Sequence, residues 1–118
     1  MDKTDHINEA FYQNSGMHSS EIKIENWQKE TFRDDNRRFN DLYDSIFNKN
    51  VLDFGSGNGG FLKFTKNVAK NSFGIEIEKK FQPYFKNNNI IVFESIENLH
   101  NTHKIKFDLI TAFHVFEH

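Results

Sequence analysis

The sequence contains no cysteine, which excludes disulfide bonds and thiolate metal sites. It has no apolar run of transmembrane length, and its N-terminus lacks the apolar stretch of a secretory signal. The net charge is only −2 at pH 7, without the clustered basic face that a nucleic-acid backbone requires. These absences predict a cytoplasmic protein that has neither a membrane nor a nucleic acid as its partner.

Proline occurs once and glycine six times in 118 residues, whereas phenylalanine occurs fourteen times. The Phe residues recur inside apolar runs and not among Lys and Arg, so they are expected to form core and not a stacking surface for bases. An apolar fraction of 36% and a charged fraction of 27% are typical of a globular protein. At this length the chain is expected to form one domain around a single core.

The N-terminal part divides into an arm and a helix. Residues 1–23 show no sustained hydrophobic period and are predicted to form a loose arm, followed by the main domain over residues 24–118. A helix is predicted between Ile24 and Phe47, and Asn48 to Asn50 then form a turn. This helix is predicted from apolar residues at i, i+3, i+4 and i+7, namely Phe39, Leu42, Tyr43 and Ile46.

After this turn the pattern changes to short apolar runs separated by helical or polar stretches, which indicates βαβ units and a mainly parallel sheet. Polar bridges are expected over Asn87 to Asn89 and over Asn98 to Lys104. The predicted strands are Asn50 to Phe54, Ser72 to Ile77, Ile90 to Phe93 and Phe107 to Ala112, with helices near Gly60 to Val68 and Lys79 to Lys86.

The first predicted strand runs into a turn that holds four glycines, Gly55, Gly57, Gly59 and Gly60. Glycines there let the backbone adopt positive φ and approach a ligand closely, and free N–H groups at the start of the next helix would donate to a carboxylate or phosphate. The G-x-G-x-x-G spacing leaves a nicotinamide dinucleotide open as the ligand. Asp53 argues against a nicotinamide dinucleotide, because an acid at the end of a strand is costly to bury unless it meets polar partners.

This segment resembles the first motif of the class I S-adenosylmethionine-dependent methyltransferases, an apolar strand that ends in an acid followed by G-x-G-x-G. Asp53, Gly55, Gly57 and Gly59 match that motif position by position. The resemblance implies that the loop, including Ser56, holds the methionine portion of S-adenosylmethionine. It also implies that Asp53 helps to orient the amino group of the cofactor.

The second predicted strand ends near Glu76, where a carboxylate can accept two hydrogen bonds from a vicinal diol such as a ribose. The resemblance assigns the same role to Glu76 and places Ile77 on the adenine face. After the third strand, Glu94 or Ser95 would reach the adenine amino group, with the backbone of Ile96 beside it. The sequence does not choose between Glu94 and Ser95.

The last twelve residues, 107–118, resemble the fourth-strand motif of small-molecule methyltransferases of the type 11, 12 and 23 kind, in which "EH" begins a helix. By this resemblance Ala112 and Phe113 border the sulfonium side of the cofactor. His114, Glu117 and His118 share one helix face, so they could bind a metal, act as a base or pack. His114 departs from the E-x-x-E-H of metal-binding relatives, so no metal site is predicted, and His114 and His118 are candidate catalytic residues.

The sequence therefore predicts an α/β fold, a Rossmann-like class I methyltransferase sheet in the order 3-2-1-4, preceded by N-terminal helices and truncated after the fourth strand. The expected function is S-adenosylmethionine-dependent methyl transfer, to an oxygen of a small molecule or sugar by family analogy. A non-catalytic fragment that binds the cofactor or a partner is the main alternative, and a nicotinamide-dependent oxidoreductase is the third. An uncovered fourth strand would pair with a second copy, so a homo-oligomer is expected.

Overall fold

A computed structural model of the chain describes residues 9–113, with the side chains of residue 19 and of residues 21–113. Helices and strands alternate from β1 onward, as βαβ units require. The elements are α1 (Glu9–Asp41), α2 (Tyr43–Ile46), β1 (Asn50–Phe54), α3 (Gly60–Thr65), β2 (Asn71–Ile75), α4 (Gln82–Asn87), β3 (Ile91–Phe93), α5 (Ile96–Thr102) and β4 (Leu109–Thr111).

The four strands form one parallel sheet in the order β3-β2-β1-β4. Asp53 on β1 lies opposite Gly74 on β2 and Thr111 on β4, and Gly74 lies opposite Val92 on β3. This confirms the α/β class and the predicted strand order. Because the strands are parallel, their carboxyl ends and the segments that follow them meet at the same edge of the sheet.

Both faces of the sheet are covered, and the buried apolar residues divide between the two faces. Successive residues of a strand point to opposite faces, so Val51 packs with α2 and α3 while Leu52 packs with α5. The expected role of phenylalanine in the core is confirmed at Phe61, Phe73 and Phe85, all of them buried. The largest cluster joins α1, α3, α4 and β3 through Ile24, Leu62, Phe81, Tyr84, Phe85, Ile90 and Val92.

Helix α1 begins at Glu9, so the expected loose arm over residues 1–23 is wrong from residue 9 onward, and the predicted helix start at Ile24 is late. Residues 9–20 contain no proline to break a helix. Further along, the buried positions of α1 are Ile24, Gln28 and Asp35, which share one helix face. Two of these three are polar, so the hydrophobic period that marks an amphipathic helix is weak.

Residues 98–104 lie largely in α5, so the expected polar bridge over this segment is wrong. The Ser95 hydroxyl oxygen accepts the Asn98 N–H at 3.1 Å and caps the helix. Leu99 alone among the α5 side chains is buried, so the helix has little apolar periodicity to reveal it.

The other element bounds differ from the predicted ones by a few residues. β1 has the predicted bounds, whereas β2 ends at Ile75, so that Glu76 and Ile77 lie beyond the strand. Helix α4 begins late, at Gln82, because Pro83 is preorganised for a first helical turn. Strand β4 is three residues long.

Two surface properties of the described residues bear on possible partners. Over residues 9–113, no helix combines the length and the apolar character needed to cross a bilayer. On β4, the Ile110 side chain is 61% exposed. The expected pairing of this strand with a second copy stays a prediction.

The close approach of β2 to the loop after β1 makes Gly74 a sensitive position. A Cβ at Gly74 would collide with the Ser56 hydroxyl oxygen and would lie 2.6 Å from Leu62 Cδ1. We expect Gly74→Ala to lower the free energy of unfolding by about 1–3 kcal/mol, the usual cost of overpacking. Urea denaturation followed by circular dichroism measures this change.

The control for this variant is Ile110→Ala, because an exposed site should change the free energy of unfolding by less than about 0.5 kcal/mol. Equal stability of Gly74→Ala and the wild type would contradict the close approach of β2 to the loop.

Candidate functional site

A cavity of about 1010 Å³ opens at the carboxyl ends of β1, β2 and β3. Ligands of open α/β sheets bind in this crevice outside the strand ends. Helix α1 forms the facing wall. The lining residues are Phe54 at the end of β1 with Gly55 and Gly57 after it, Ile75 at the end of β2 with Glu76 to Glu78, Lys80 and Phe81 after it, Glu94 to Glu97 after β3, and Lys23, Trp27 and Thr31 of α1.

The loop after β1 takes the backbone conformation that its glycines predict. Gly55, Gly57 and Gly59 have φ values of 74°, 60° and 77°, in the left-handed region that side chains disfavour. The Ser56 hydroxyl donates to the Asp53 carbonyl at 2.9 Å, and the Gly59 N–H donates to the Ser56 carbonyl at 3.0 Å. The loop is therefore a compact turn that brings backbone to the wall of the cavity.

The sequence predicts free N–H donors at the start of α3, and this is wrong for the Gly60 amide, which is engaged within the protein. Three amides earlier in the loop are engaged as well. The Gly55 and Ser56 amides both donate to the Ile75 carbonyl, at 2.8 and 2.9 Å. The Gly57 amide donates to Glu76 Oε1 at 2.8 Å, and the Gly60 amide to Asn58 Oδ1 at 2.7 Å. The loop folds back on β2, and the Asn58 side chain caps the first turn of α3.

Glu76 lies directly after β2, at the cavity edge, where the sequence placed it. Its Oε1 accepts the Gly57 N–H at 2.8 Å, and its Oε2 accepts the Glu78 N–H at 3.1 Å. A carboxylate has about four acceptor positions, so each oxygen keeps one for a ligand. Two backbone amides thus hold the carboxylate in place, and it remains able to accept hydrogen bonds from the cavity side.

Three of the predicted loop contacts lie behind the cavity wall. Asp53 is 0% exposed, and its Oδ1 accepts the Thr111 hydroxyl at 2.8 Å, which connects β1 to β4. Ser56 is also buried, and a Cβ at Gly59 would lie 2.8 Å from the Phe85 ring. None of the three lines the cavity formed by the described residues. The predicted contact of Asp53 with an amino group stays a prediction.

The segment after β3 brings Glu94, Ser95 and Ile96 to the cavity, and their predicted contact with an adenine stays a prediction. Each polar candidate already has a partner: Glu94 pairs with Lys79 at 3.1 Å, and the Ser95 oxygen caps α5. Ile77 and Ile96 are exposed by 80% and 45%, so both offer apolar surface to a ligand.

The end of β4 contributes less to this cavity than the sequence predicted. Ala112 is exposed after the strand, and neither Ala112 nor Phe113 lines the cavity formed by the described residues. The Phe113 ring instead packs edge-on against Phe61 at 5.0 Å, with the Arg38 guanidinium 4.5 Å from its centre. His114, Glu117 and His118 lie outside the described residues.

Helix α1 forms one wall of the cavity, which the sequence did not predict. Lys23, Trp27 and Thr31 are spaced four residues apart, so they follow one helix face. This spacing becomes informative only when the full extent of α1 is known, because the sequence predicts a loose arm at residue 23.

The charges that line the cavity are predominantly negative. Four carboxylates, those of Glu76, Glu78, Glu94 and Glu97, face two ammonium groups. This balance favours a ligand that carries positive charge over a polyanion.

A family model described as a methyltransferase domain matches residues 33–118, well over half of the chain. The chain belongs to the class I S-adenosylmethionine-dependent methyltransferases. No curated protein matches it significantly. The methyltransferase match includes the glycine loop, Glu76 and β4, and it begins after the residues with which α1 lines the cavity.

The positive φ of Gly57 yields a test of the loop in this methyltransferase. We expect Gly57→Val to abolish binding of S-adenosylhomocysteine while the fold persists, since a β-branched side chain resists φ of 60° and Gly57 lines the cavity. Titration calorimetry measures the affinity, and thermal unfolding measures stability.

Asn89→Val is the matched control, because Asn89 has φ of 57°, is exposed and does not line the cavity. Both variants should lose stability by about 1–3 kcal/mol from backbone strain. Only Gly57→Val should lose the ligand, and retained affinity in that variant would refute a binding role for the loop.

Proposed function

We propose that the cavity binds S-adenosylmethionine and that the protein is the cofactor-binding portion of a methyltransferase acting on an oxygen of a small molecule or sugar. The observation that carries the proposal is the Glu76 carboxylate, which the Gly57 and Glu78 amides hold at the cavity edge. A fixed carboxylate accepts from both hydroxyls of a ribose more favourably than a mobile one, because less side-chain entropy is lost on binding.

The other lining groups fit the rest of this cofactor. The exposed apolar side chains of Ile77 and Ile96 suit the adenine ring of S-adenosylmethionine, and the carboxylates suit the ammonium and sulfonium charges of the cofactor. Gly55 and Gly57 allow backbone to lie close to the ligand, because neither carries a Cβ. The cavity volume of about 1010 Å³ is also sufficient for a ligand of this size.

S-adenosylmethionine supplies an electrophilic methyl group when bound. The residues of this chain would then act by binding and orientation, and Trp27 and Phe81 would exclude water from the α1 side of the cavity. The choice of an oxygen acceptor rests on the family resemblance. The choice of His114 or His118 as the group that removes its proton rests on the helix face that their spacing predicts. Binding without turnover is supported by the same contacts, so binding and methyl transfer need separate measurements.

A nicotinamide dinucleotide fits the cavity less well. Such a ligand places its diphosphate on free N–H groups of the glycine loop, and here the Gly55, Ser56, Gly57 and Gly60 amides are engaged internally. The four carboxylates would also repel a diphosphate.

Parallel titrations with S-adenosylhomocysteine and NAD distinguish the two cofactors. We expect S-adenosylhomocysteine to bind at least about tenfold more tightly, because it carries an ammonium group and no diphosphate. Trp27 lines the cavity and is the single tryptophan of the sequence, so its fluorescence reports entry of either ligand. Tighter binding of NAD, or no binding of S-adenosylhomocysteine, would refute the proposed cofactor.

A further inference from the structure

Helix α1 is connected to the glycine loop by a buried hydrogen-bond network centred on Gln28. The side chain of Gln28 is on the inner face of α1, and the residue is 9% exposed. Its Nε2 donates to the Asn58 carbonyl at 2.7 Å, and its Oε1 accepts from Tyr84 Oη at 3.2 Å and Lys63 Nζ at 3.3 Å. One side-chain amide thus joins α1, the loop, α3 and α4.

Thr31 of α1 binds the side-chain amide of Asn58. Asn58 Nδ2 donates to Thr31 Oγ1 at 3.0 Å, and the Thr31 hydroxyl lies 2.9 Å from Asp35 Oδ2. The side-chain oxygen of Asn58, Oδ1, accepts the Gly60 N–H at 2.7 Å. Asn58, at 2% exposure, is therefore held through its backbone carbonyl and both ends of its side chain.

Asn58 lies between Gly57 and Gly59, two residues in the left-handed region. Glycines have wide access to other backbone conformations, so a loop of this composition keeps one geometry only when contacts outside it hold it there. Gly57 must keep its orientation if its amide is to reach Glu76, and Gly60 must keep its own if the loop is to enter α3.

We propose that Gln28 is a positioning residue, which fixes Asn58 and thereby sets the geometry of the glycine loop and of Glu76. Gln28 and Thr31 precede the segment that the family model matches, so the part of α1 before residue 33 contributes this function in addition to the matched domain. The effect on cofactor affinity rests on the proposed function, whereas the effect on loop geometry does not.

The test compares Gln28→Met with Tyr84→Phe by hydrogen exchange and by titration. Gln28→Met keeps the side-chain volume and removes the donor to Asn58, so the Gly57 and Gly60 amides should exchange about tenfold faster and S-adenosylhomocysteine should bind about tenfold more weakly. Tyr84→Phe removes a buried hydrogen bond to Gln28 but leaves the bond to Asn58. It should shift the melting temperature and change neither the two exchange rates nor the affinity by more than about twofold.

Gln28→Glu is the second variant, because its carboxylate still accepts from Tyr84 and Lys63 but cannot donate to Asn58. It should reproduce the faster exchange at Gly57 and Gly60 even if the methionine variant does not fold. Unchanged exchange in a folded Gln28 variant, or equal acceleration in Tyr84→Phe, would overturn the positioning role. Failure of the wild type to bind S-adenosylhomocysteine would refute the proposed cofactor, and the exchange rates would still decide the role of Gln28.

Discussion

The hydrogen bond from the Gly57 amide to the Glu76 carboxylate is the contact on which the site depends. It joins the turn after β1 to the end of β2, and these two segments form adjacent parts of the cavity wall. The same bond uses the amide that could otherwise have bound an anion and fixes the carboxylate that would bind a ribose. This hydrogen bond therefore supports the proposed diol ligand over a diphosphate, together with the other engaged loop amides and the four carboxylates that line the cavity.

Helix α1 supports the Gly57–Glu76 hydrogen bond through polar side chains that contact the glycine loop. Such side chains are unusual on a helix face turned to the core. Gln28, Thr31 and Asp35 make polar contacts where apolar side chains would ordinarily pack. Buried polar groups are costly unless their hydrogen bonds are made, so such a network tolerates few alternative arrangements. The geometry of the loop is thus specified by directional bonds, and the apolar cluster around Leu62 and Phe85 supplies the non-directional stability.

Much of the fold and part of the site could be predicted because their signals are local in the sequence. The strand over residues 50–54, the glycine turn and the acid at Glu76 lie in short segments whose spacing carries the chemistry, and the strand order followed from the family resemblance. The engaged loop amides, the position of Phe113 against Phe61 and the α1 wall depend on contacts between distant segments. The full extent of α1 was missed because the residues before Ile24 show no sustained hydrophobic period.

The binding of a ribose by Glu76 is tested most directly by comparing the affinities of S-adenosylhomocysteine and its 2′-deoxy analogue. The proteins compared are the wild type, Glu76→Gln and Glu78→Gln. If Glu76 holds the ribose diol, the wild type prefers the hydroxylated ligand by about 1–3 kcal/mol, the scale of hydrogen bonds to a charged group. Glu76→Gln should lose most of this preference, whereas Glu78→Gln, which removes the same charge from the same cavity, should keep it. A preference that survives in Glu76→Gln, or that is absent from the wild type, would refute the binding of a ribose by Glu76.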